Sequence, residues 1–373
     1  MKYLLALLAL AACGDNPSSS LPDGSLADAA VDAAPLPPRA VVVAGDFTAG
    51  HPGVLSALDV EARTMMTNVG PAMAVGNDPV VRVFDGKLYV INRTDNNVTI
   101  LDALTLQLVE QLGTGAGSNP QDVAVLGSTL YVPALGGKGL VTLVRGSTAV
   151  TEIDLSADDP DGKPNCNSVY RVGSDLYVSC GLLDDTQQFL PPRGPGKVYV
   201  LDSASGAIKQ TITLSTKNPI GLFEQVPATA VHGGELVIPT VDFATGEGCV
   251  ERVVTGATAQ AAGCLVTNAA LGNFASRIEL AGTMMWLIVP AQDYVHSDLR
   301  GFELAGESLW PDAINPTSQV IQDVAACADG AVVVADSTMS ASGLRVYEGT
   351  TEKTTAPLPI GLRPQAQHGL VCY

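Results

Sequence analysis

Basic residues are scarce in this sequence. Its 20 Lys and Arg are outnumbered by 38 Asp and Glu, which gives a formal net charge of −18. No cluster of basic residues interrupts this acidity. Because a surface of this charge repels phosphate backbones, the composition excludes nucleic acid as a partner.

Aromatic residues are also few, at 5% of the chain, although hydrophobic residues as a whole reach 46%. The core must therefore be built from small and β-branched side chains, which favours an all-β fold. After residue 13 the sequence has no uninterrupted run of the roughly 18 apolar residues that a membrane-spanning helix needs.

Recognisable catalytic motifs are missing. There is no Gly-x-Ser-x-Gly elbow, no Gly-rich loop that opens a helix and no Cys-x-x-Cys. The four histidines, His51, His232, His296 and His368, have no partner at metal-ligand spacing. We interpret them as loop histidines, with a scattered metal site of His51, His296 and His368 as the alternative.

The first thirteen residues read MKYLLALLALAAC. Lys2 provides a positive start, and the apolar run that follows is typical of a signal peptide rather than a membrane span. The end, Leu10-Ala11-Ala12-Cys13, resembles the bacterial lipobox. The resemblance implies cleavage after residue 12 and lipidation of Cys13; an ordinary secretory signal with a chance cysteine is the alternative.

Residues 13–39 follow as a tether rich in Pro, Ala, Ser and Asp, which cannot bury a core. We expect the folded domain to occupy residues 40–373. Gly14 after the cysteine, by resemblance to lipoproteins of two-membrane bacteria, implies sorting to the outer membrane. The domain is then periplasmic or surface-facing and held to the membrane by its lipid.

A repeat runs through the expected domain. Seven short apolar segments are separated by 42 to 60 residues, each followed by a further strand-like segment, and all but the first preceded by a short strand and a turn. We predict that they are the second strands of seven blades: Val41–Val43, Leu88–Val90, Leu130–Val132, Leu176–Val178, Leu236–Ile238, Met285–Leu287 and Val332–Val334.

The segment Leu88-Tyr-Val-Ile-Asn92 resembles the YVTN-type repeat of bacterial β-propellers. The resemblance implies a seven-bladed β-propeller of four-stranded blades. The first segment lacks a preceding strand, and residues 369–372 supply one, so we expect the C-terminal strand to close the ring by pairing with the N-terminal blade. A six- or eight-bladed ring and a two-sandwich fold are the alternatives.

Six cysteines remain once Cys13 is set aside, an even number in an exported chain. Fifteen pairings are possible. Cys166 and Cys180 flank the Gly173-Ser174 turn, and Cys249 and Cys264 flank Gly256-Ala257, so each pair is placed opposite across a hairpin. Cys327 and Cys372 then remain for a bridge across the ring closure. Six free buried thiols are the alternative.

Acidic and amide residues stand where the predicted second strands end, at Asp46, Asn92, Asp242, Asp293 and Asp336. If these ends gather around the mouth of a central channel, their oxygens could hold Ca²⁺ or a polar ligand. The alternative is that they cap turns. The insertion 181–196 is expected on the same face, with Phe189 and Arg193 available to a partner.

These observations favour a non-enzymatic binding or interaction scaffold whose partner is a protein, a glycan or a small ligand. A propeller hydrolase or lactonase with a metal in the central channel is the alternative, and a purely structural envelope protein is a third. The three differ in whether polar side chains converge in the channel.

The lipid anchor is directly testable. Cells fed labelled fatty acid are expected to incorporate label into the native protein, and Cys13→Ala is expected to lose the label and to move the protein from the membrane to the aqueous fraction. A mature chain that begins elsewhere and carries no lipid would contradict the assignment.

Overall fold

A computed structural model describes residues 39–48, 50–293 and 295–373. Cys13 and the rest of the predicted signal and tether up to residue 38 lie outside the described residues. The first strand begins at Arg39, so the last residue of the predicted tether belongs to the folded domain.

Seven antiparallel four-stranded sheets form a ring, and each sheet is one blade. In order from first to fourth strand, blade 1 consists of β28 (Leu370–Cys372), β1 (Arg39–Ala44), β2 (Val54–Asp59) and β3 (Thr64–Met66). Blade 2 consists of β4 (Pro79–Phe84), β5 (Lys87–Asn92), β6 (Asn97–Asp102) and β7 (Leu108–Gly113). Blade 3 consists of β8 (Ala124–Leu126), β9 (Thr129–Pro133), β10 (Gly139–Val144) and β11 (Val150–Asp154).

The remaining four blades repeat this order. Blade 4 has β12 (Cys166–Val172), β13 (Asp175–Cys180), β14 (Pro195–Asp202) and β15 (Ile208–Lys217); blade 5 has β16 (Glu224–Gln225), β17 (Leu236–Pro239), β18 (Cys249–Val254) and β19 (Gln260–Thr267). Blade 6 has β20 (Arg277–Ala281), β21 (Met284–Pro290), β22 (Ser297–Glu303) and β23 (Ser308–Leu309); blade 7 has β24 (Ile321–Ala326), β25 (Ala331–Asp336), β26 (Gly343–Glu348) and β27 (Thr351–Glu352). Helical structure in the described chain is limited to α1 (Asn268–Leu271) and two 3₁₀ turns, Ser156–Asp158 and Gly256–Thr258.

The ring is closed as predicted. The C-terminal strand β28 pairs with β1, with Val41 opposite Val371 and Val42 opposite Leu370. One blade is therefore built from both ends of the domain, and this pairing closes the ring. All seven predicted second strands occupy the second position of their blades.

The hydrophobic core is divided into seven clusters, and each lies between two adjacent blades. Strand β5 shows why its sequence is apolar throughout. Leu88 and Val90 pack toward blade 1, whereas Tyr89 and Ile91 pack toward blade 3. Because successive side chains of a strand point to opposite faces, a strand buried on both faces cannot alternate with polar residues.

The tyrosine of the Leu-Tyr-Val segment ties neighbouring blades together. The hydroxyl of Tyr131 donates to the carbonyl oxygen of Ser203 in the next blade at 2.5 Å. The hydroxyl of Tyr177 accepts from the backbone N–H of Gly256, also one blade further on, at 2.7 Å. A buried tyrosine hydroxyl needs such a partner, so Tyr131 and Tyr177 stabilise the contacts of blades 3 and 4 with the blades that follow them.

The three predicted disulfides are present: Cys166–Cys180, Cys249–Cys264 and Cys327–Cys372. Cys166 and Cys180 are directly opposite in β12 and β13, as expected. The expectation that Cys249 and Cys264 are directly opposite is wrong. Bulges between β18 and β19 shift the register, so that Cys264 faces Glu251 while its sulfur still reaches Cys249.

Cys327 and Cys372 join blade 7 to blade 1 across the ring closure. Three disulfides indicate an oxidising compartment and hence a protein exported from the cytoplasm. Within the described ranges, no helix has the length and hydrophobicity that crossing a bilayer would require.

We expect Cys327→Ala/Cys372→Ala to lower the free energy of unfolding by about 4 kcal/mol, because the bond closes a loop of 45 residues. The matched control Cys166→Ala/Cys180→Ala opens a loop of 14 residues within one hairpin and should cost less. Urea unfolding of both variants measures the difference. Equal losses would show that the bond across the closure contributes no more than a hairpin bond.

Candidate functional site

Two of the five residues predicted at the second-strand ends pair with a neighbouring histidine. Asp46 lies 2.9 Å from Nδ1 of His51, and Asp293 lies 3.2 Å from Nδ1 of His296. The hydrogen bond from His51 lowers the pKa of Asp46, and the backbone N–H of Val295 lowers the pKa of Asp293. Both pairs are local to their own loops and exposed to solvent.

The other three are held by contacts within their own blade or with the blade before it. Asp242 pairs at 3.0 Å with Lys217, which ends β15 of blade 4. Asp336, which is fully buried, receives Nε of Arg345 of its own blade at 2.7 Å. Asn92 is buried and hydrogen-bonds with side chains and backbone of blade 2. Asp and Asn commonly make contacts of this kind, which cap turns and hold neighbouring strands together.

The five residues therefore belong to five blades, and the structure does not gather them into a cation site. Among the described residues, no group of three or more His, Cys, Asp or Glu side chains is arranged to hold a metal ion. This observation also gives no support to the scattered site of His51, His296 and His368. The calcium hypothesis for this face gains no support from the structure.

The insertion 181–196 is held down by Arg193. Its guanidinium lies 2.7 Å from Asp184 and 2.9 Å from Asp161, with Asp159 at 3.7 Å. Arg193 thus holds the insertion against the loop before β12, and its positive charge is neutralised by these carboxylates. A guanidinium that is already paired with several carboxylates in this way positions the insertion.

Phe189, by contrast, is available. Together with Phe243 it borders a groove of about 220 Å³ on the face where the second strands end, which we call the loop-face groove. Its lining is Leu135, Asn165, Asn167, Leu183, Phe189, Leu190, Asn218, Pro219, Ile220 and Phe243. Phe189 is 87% exposed and Phe243 61%, which is unusual for side chains of this size.

The loop-face groove is apolar with a few amides and has no charged side chain in its lining. The ring of Phe243 packs edge-on against Phe274 with centroids 5.5 Å apart, which fixes its orientation. Asn167 donates to the carbonyl oxygen of Gly221 at 2.6 Å. The amide of Asn218 makes no hydrogen bond to any other described residue, so it is free to bond a ligand.

The channel at the centre of the ring is charged. The first strands of the blades line it, and they bring together two arginines and four carboxylates, which we call the channel network: Arg82, Asp122, Glu224, Arg277, Glu279 and Asp323. Arg277 is at its centre, with nitrogens 2.6 Å from Glu279, 2.9 Å from Asp323 and 3.3 Å from Glu224.

Two parts of the channel network have the same design. Nε of Arg82 donates to Asp122 in the next blade at 2.8 Å, and the second carboxylate oxygen of Asp122 accepts from the backbone N–H of Val169 in the blade after that. On the other side of the ring, Nε of Arg277 donates to Asp323, whose second oxygen accepts from the N–H of Leu370. Each unit therefore joins three consecutive blades around the channel.

The channel network can be compared with the ligands that the channel metal of the alternative function would need. A catalytic metal needs carboxylates or histidines that are free to coordinate it. Here Asp122 and Asp323 are matched by guanidiniums and backbone N–H groups, and Glu279 receives Arg277 at 2.6 Å. Among the described residues, no group of three or more His, Cys, Asp or Glu side chains is arranged in the channel to hold a metal ion, so the structure gives no support to a channel metal.

The reading of the sequence missed the channel network. One signal for it exists, because the tetrapeptide Gln-Asp-Val-Ala occurs at residues 121–124 and again at 322–325. The two copies place Asp122 and Asp323 at equivalent positions of their blades. The arginines give no such signal, since Arg82 and Arg277 lie in segments that share no motif.

Comparison with protein-family models yields no match, and no curated protein matches the sequence. Solved structures do resemble it. A candidate 6-phosphogluconolactonase from Bacteroides uniformis superimposes with a TM-score of 0.62 at 11% identity, covering 91% of this chain and 100% of its own. A second candidate 6-phosphogluconolactonase, from Bacteroides fragilis, gives 0.61 at 12% identity, covering 90% and 98%.

A functionally unknown protein from Desulfotomaculum acetoxidans gives a TM-score of 0.56 at 10% identity, covering 89% of this chain and 98% of its own. At sequence identities this low, the structural similarity shows the fold and does not show the reaction or the ligand. The comparisons and the geometry together identify the chain as a seven-bladed β-propeller.

Proposed function

We propose that this chain is an exported lipoprotein whose propeller is a binding module, and that the loop-face groove is where it takes its ligand. The observation that carries the proposal is the pair of exposed phenylalanines, Phe189 and Phe243, on either side of one concave groove. Apolar grooves with a few well-placed polar groups are the usual form of a ligand site.

The lining also limits the ligand. Seven apolar and three amide side chains surround the groove, and none of them is charged. Burying a charged ligand group against such a lining would leave its charge unpaired, which costs several kcal/mol. The preferred ligand is therefore neutral, with an apolar or aromatic part for the phenylalanines and a hydrogen-bonding group for Asn218.

The lipid on Cys13 belongs to the same proposal. A propeller held to the outer membrane through the tether 13–39 would present its loops to partners at the cell envelope. Two or more acyl chains give stable attachment, whereas one alone is marginal. The alternative, a propeller hydrolase or lactonase with a channel metal, gains no support, because no three potential metal ligands of the described residues are arranged around one point.

The binding proposal is tested with arrays of uncharged glycans and of short neutral peptides that carry aromatic residues. We expect ligands retained by the native protein to lose about tenfold in affinity per phenylalanine in Phe189→Ser/Phe243→Ser. Both side chains are exposed, so thermal stability should change little.

Met339→Ser is the matched control, because Met339 is 89% exposed and is not part of the groove. It should bind as the native protein does. Retention of the same ligands at the same affinity by the double phenylalanine variant would move the binding site elsewhere, and retention of charged probes alone would contradict the neutral-ligand assignment.

A further inference from the structure

A second cavity lies inside the central channel and is separate from the loop-face groove. It measures about 150 Å³ and is lined by residues of the first strands, among them Arg82, Glu224, Arg277 and Glu279, together with His368. It is thus the part of the channel that the channel network surrounds. Unlike the loop-face groove, its lining is strongly charged.

His368 lines this cavity and has no partner there. Its residue is only 4% exposed, and neither ring nitrogen makes a hydrogen bond to a described residue. Burial, together with the guanidiniums of Arg277 and Arg82, holds the pKa of His368 well below its usual value. The neutral ring therefore has one N–H donor and one bare nitrogen acceptor, both buried and without a partner among the described residues.

Glu224 offers a second acceptor. One of its carboxylate oxygens lies 3.3 Å from Arg277 and 3.7 Å from Arg82. The other oxygen makes no hydrogen bond within the described chain. The charges of the two arginines are balanced by Asp122 and Asp323. Glu224 and Glu279 therefore add negative charge that no further cation of the channel network balances.

A wider apolar vestibule of about 610 Å³ adjoins the cavity at Cys372, which lines both. Leu280, Met284 and Trp286 are among its lining residues. Strand β20 passes from one space to the other, with Glu279 at the charged cavity and Leu280 at the vestibule. The vestibule opens at the turns between first and second strands, at Gly282 and Gly330, opposite the loop-face groove.

We propose that the channel cavity binds the ammonium group of a small primary amine whose alkyl or aryl part lies in the vestibule. The ammonium group has three N–H donors, and Glu224 and the bare nitrogen of His368 are the acceptors that face it. Its positive charge offsets the excess of carboxylate, and the apolar part gains from burial beside Trp286 and Leu280.

The ionisation of Glu224 makes the proposal measurable. Burial, and then the charge of Glu279, raise the pKa of Glu224 to about 7. The charged and titratable groups that face Glu224 are Arg82 from β4, Tyr170 from β12, Arg277 and Glu279 from β20, Asp323 from β24 and His368 before β28. His368 stays neutral and the arginines stay charged across neutral pH. Burial also raises the pKa of Glu279, so Glu224 and Glu279 titrate together and are the groups that change.

A cationic ligand favours the carboxylate form of Glu224, so binding at pH 7 releases a proton. Isothermal titration calorimetry of the native protein with n-hexylamine is expected to show a heat that varies with the ionisation enthalpy of the buffer. Affinity should rise by about tenfold from pH 6 to pH 8 as Glu224 ionises, while the amine itself stays protonated. Hexan-1-ol and hexanoate should bind more than tenfold more weakly.

Glu224→Gln keeps the shape of the side chain and is expected to lower n-hexylamine affinity by at least tenfold and to weaken the pH dependence, with Glu279 left as the titrating carboxyl. Glu61→Gln, an exposed glutamate in the turn after β2, is the control and should behave as the native protein. Across the series methylamine, butylamine and hexylamine, the affinity should rise about fourfold for each methylene group that the vestibule buries.

Three results would overturn the proposal: no saturable binding of n-hexylamine at millimolar concentration, equal binding of hexan-1-ol, or a native affinity that does not change between pH 6 and pH 8. The pH profile and the proton release use only the native protein, so they decide the question even where Glu224→Gln does not fold.

Discussion

The pairing of β28 with β1 is the contact on which the rest of this molecule depends. A propeller blade buries both faces against its neighbours, so an open array would leave two apolar sheet faces in water. Pairing the last strand with the first covers both. It also brings Leu370 to Asp323, so the second arginine–aspartate unit of the channel exists only in the closed ring.

The closure is reinforced in three independent ways. Backbone pairing joins β28 to β1, the Cys327–Cys372 bond joins blade 7 to blade 1, and the contact of Arg277, Asp323 and Leu370 joins blades 6, 7 and 1 inside the channel. Hydrogen bonds, a covalent bond and a buried ion pair respond differently to denaturant, reductant and pH, so no single condition weakens all three.

The channel network is costly to build. Placing two guanidiniums and four carboxylates out of water carries a desolvation penalty that their attraction offsets only with good geometry, and apolar side chains of similar volume often stabilise a fold as well or better. Asp122 and Asp323 meet that requirement, because backbone N–H groups take up their remaining oxygens. Glu224 does not, since one of its oxygens has no partner in the described chain, and this difference separates the binding part of the channel from its structural part.

The two faces of the ring consequently present different chemistry. The loop-face groove is uncharged and lined in part by exposed phenylalanines, whereas the opposite face carries the apolar vestibule, which shares Cys372 with the charged cavity. Arg193, Asp242 and Asp336, which the sequence suggested as ligand contacts, form ion pairs that hold loops and strands in place. A rigid ring of this kind can carry two unrelated sites because its loops and its channel come from different parts of each blade.

The sequence by itself determined the blades. Segments such as Leu88–Val90 are apolar at every position because both faces of the strand are buried, and their number and spacing predicted seven blades. The missing strand before the first segment predicted the closing strand, and the positions of the cysteines around hairpin turns predicted the disulfides. The same reasoning could not find the channel site. Arg82, Glu224, Arg277 and His368 lie in different blades and share no motif, and only the closed ring brings them together. Tertiary structure decided that site because it determines which of the many charged residues lose their water and must find one another.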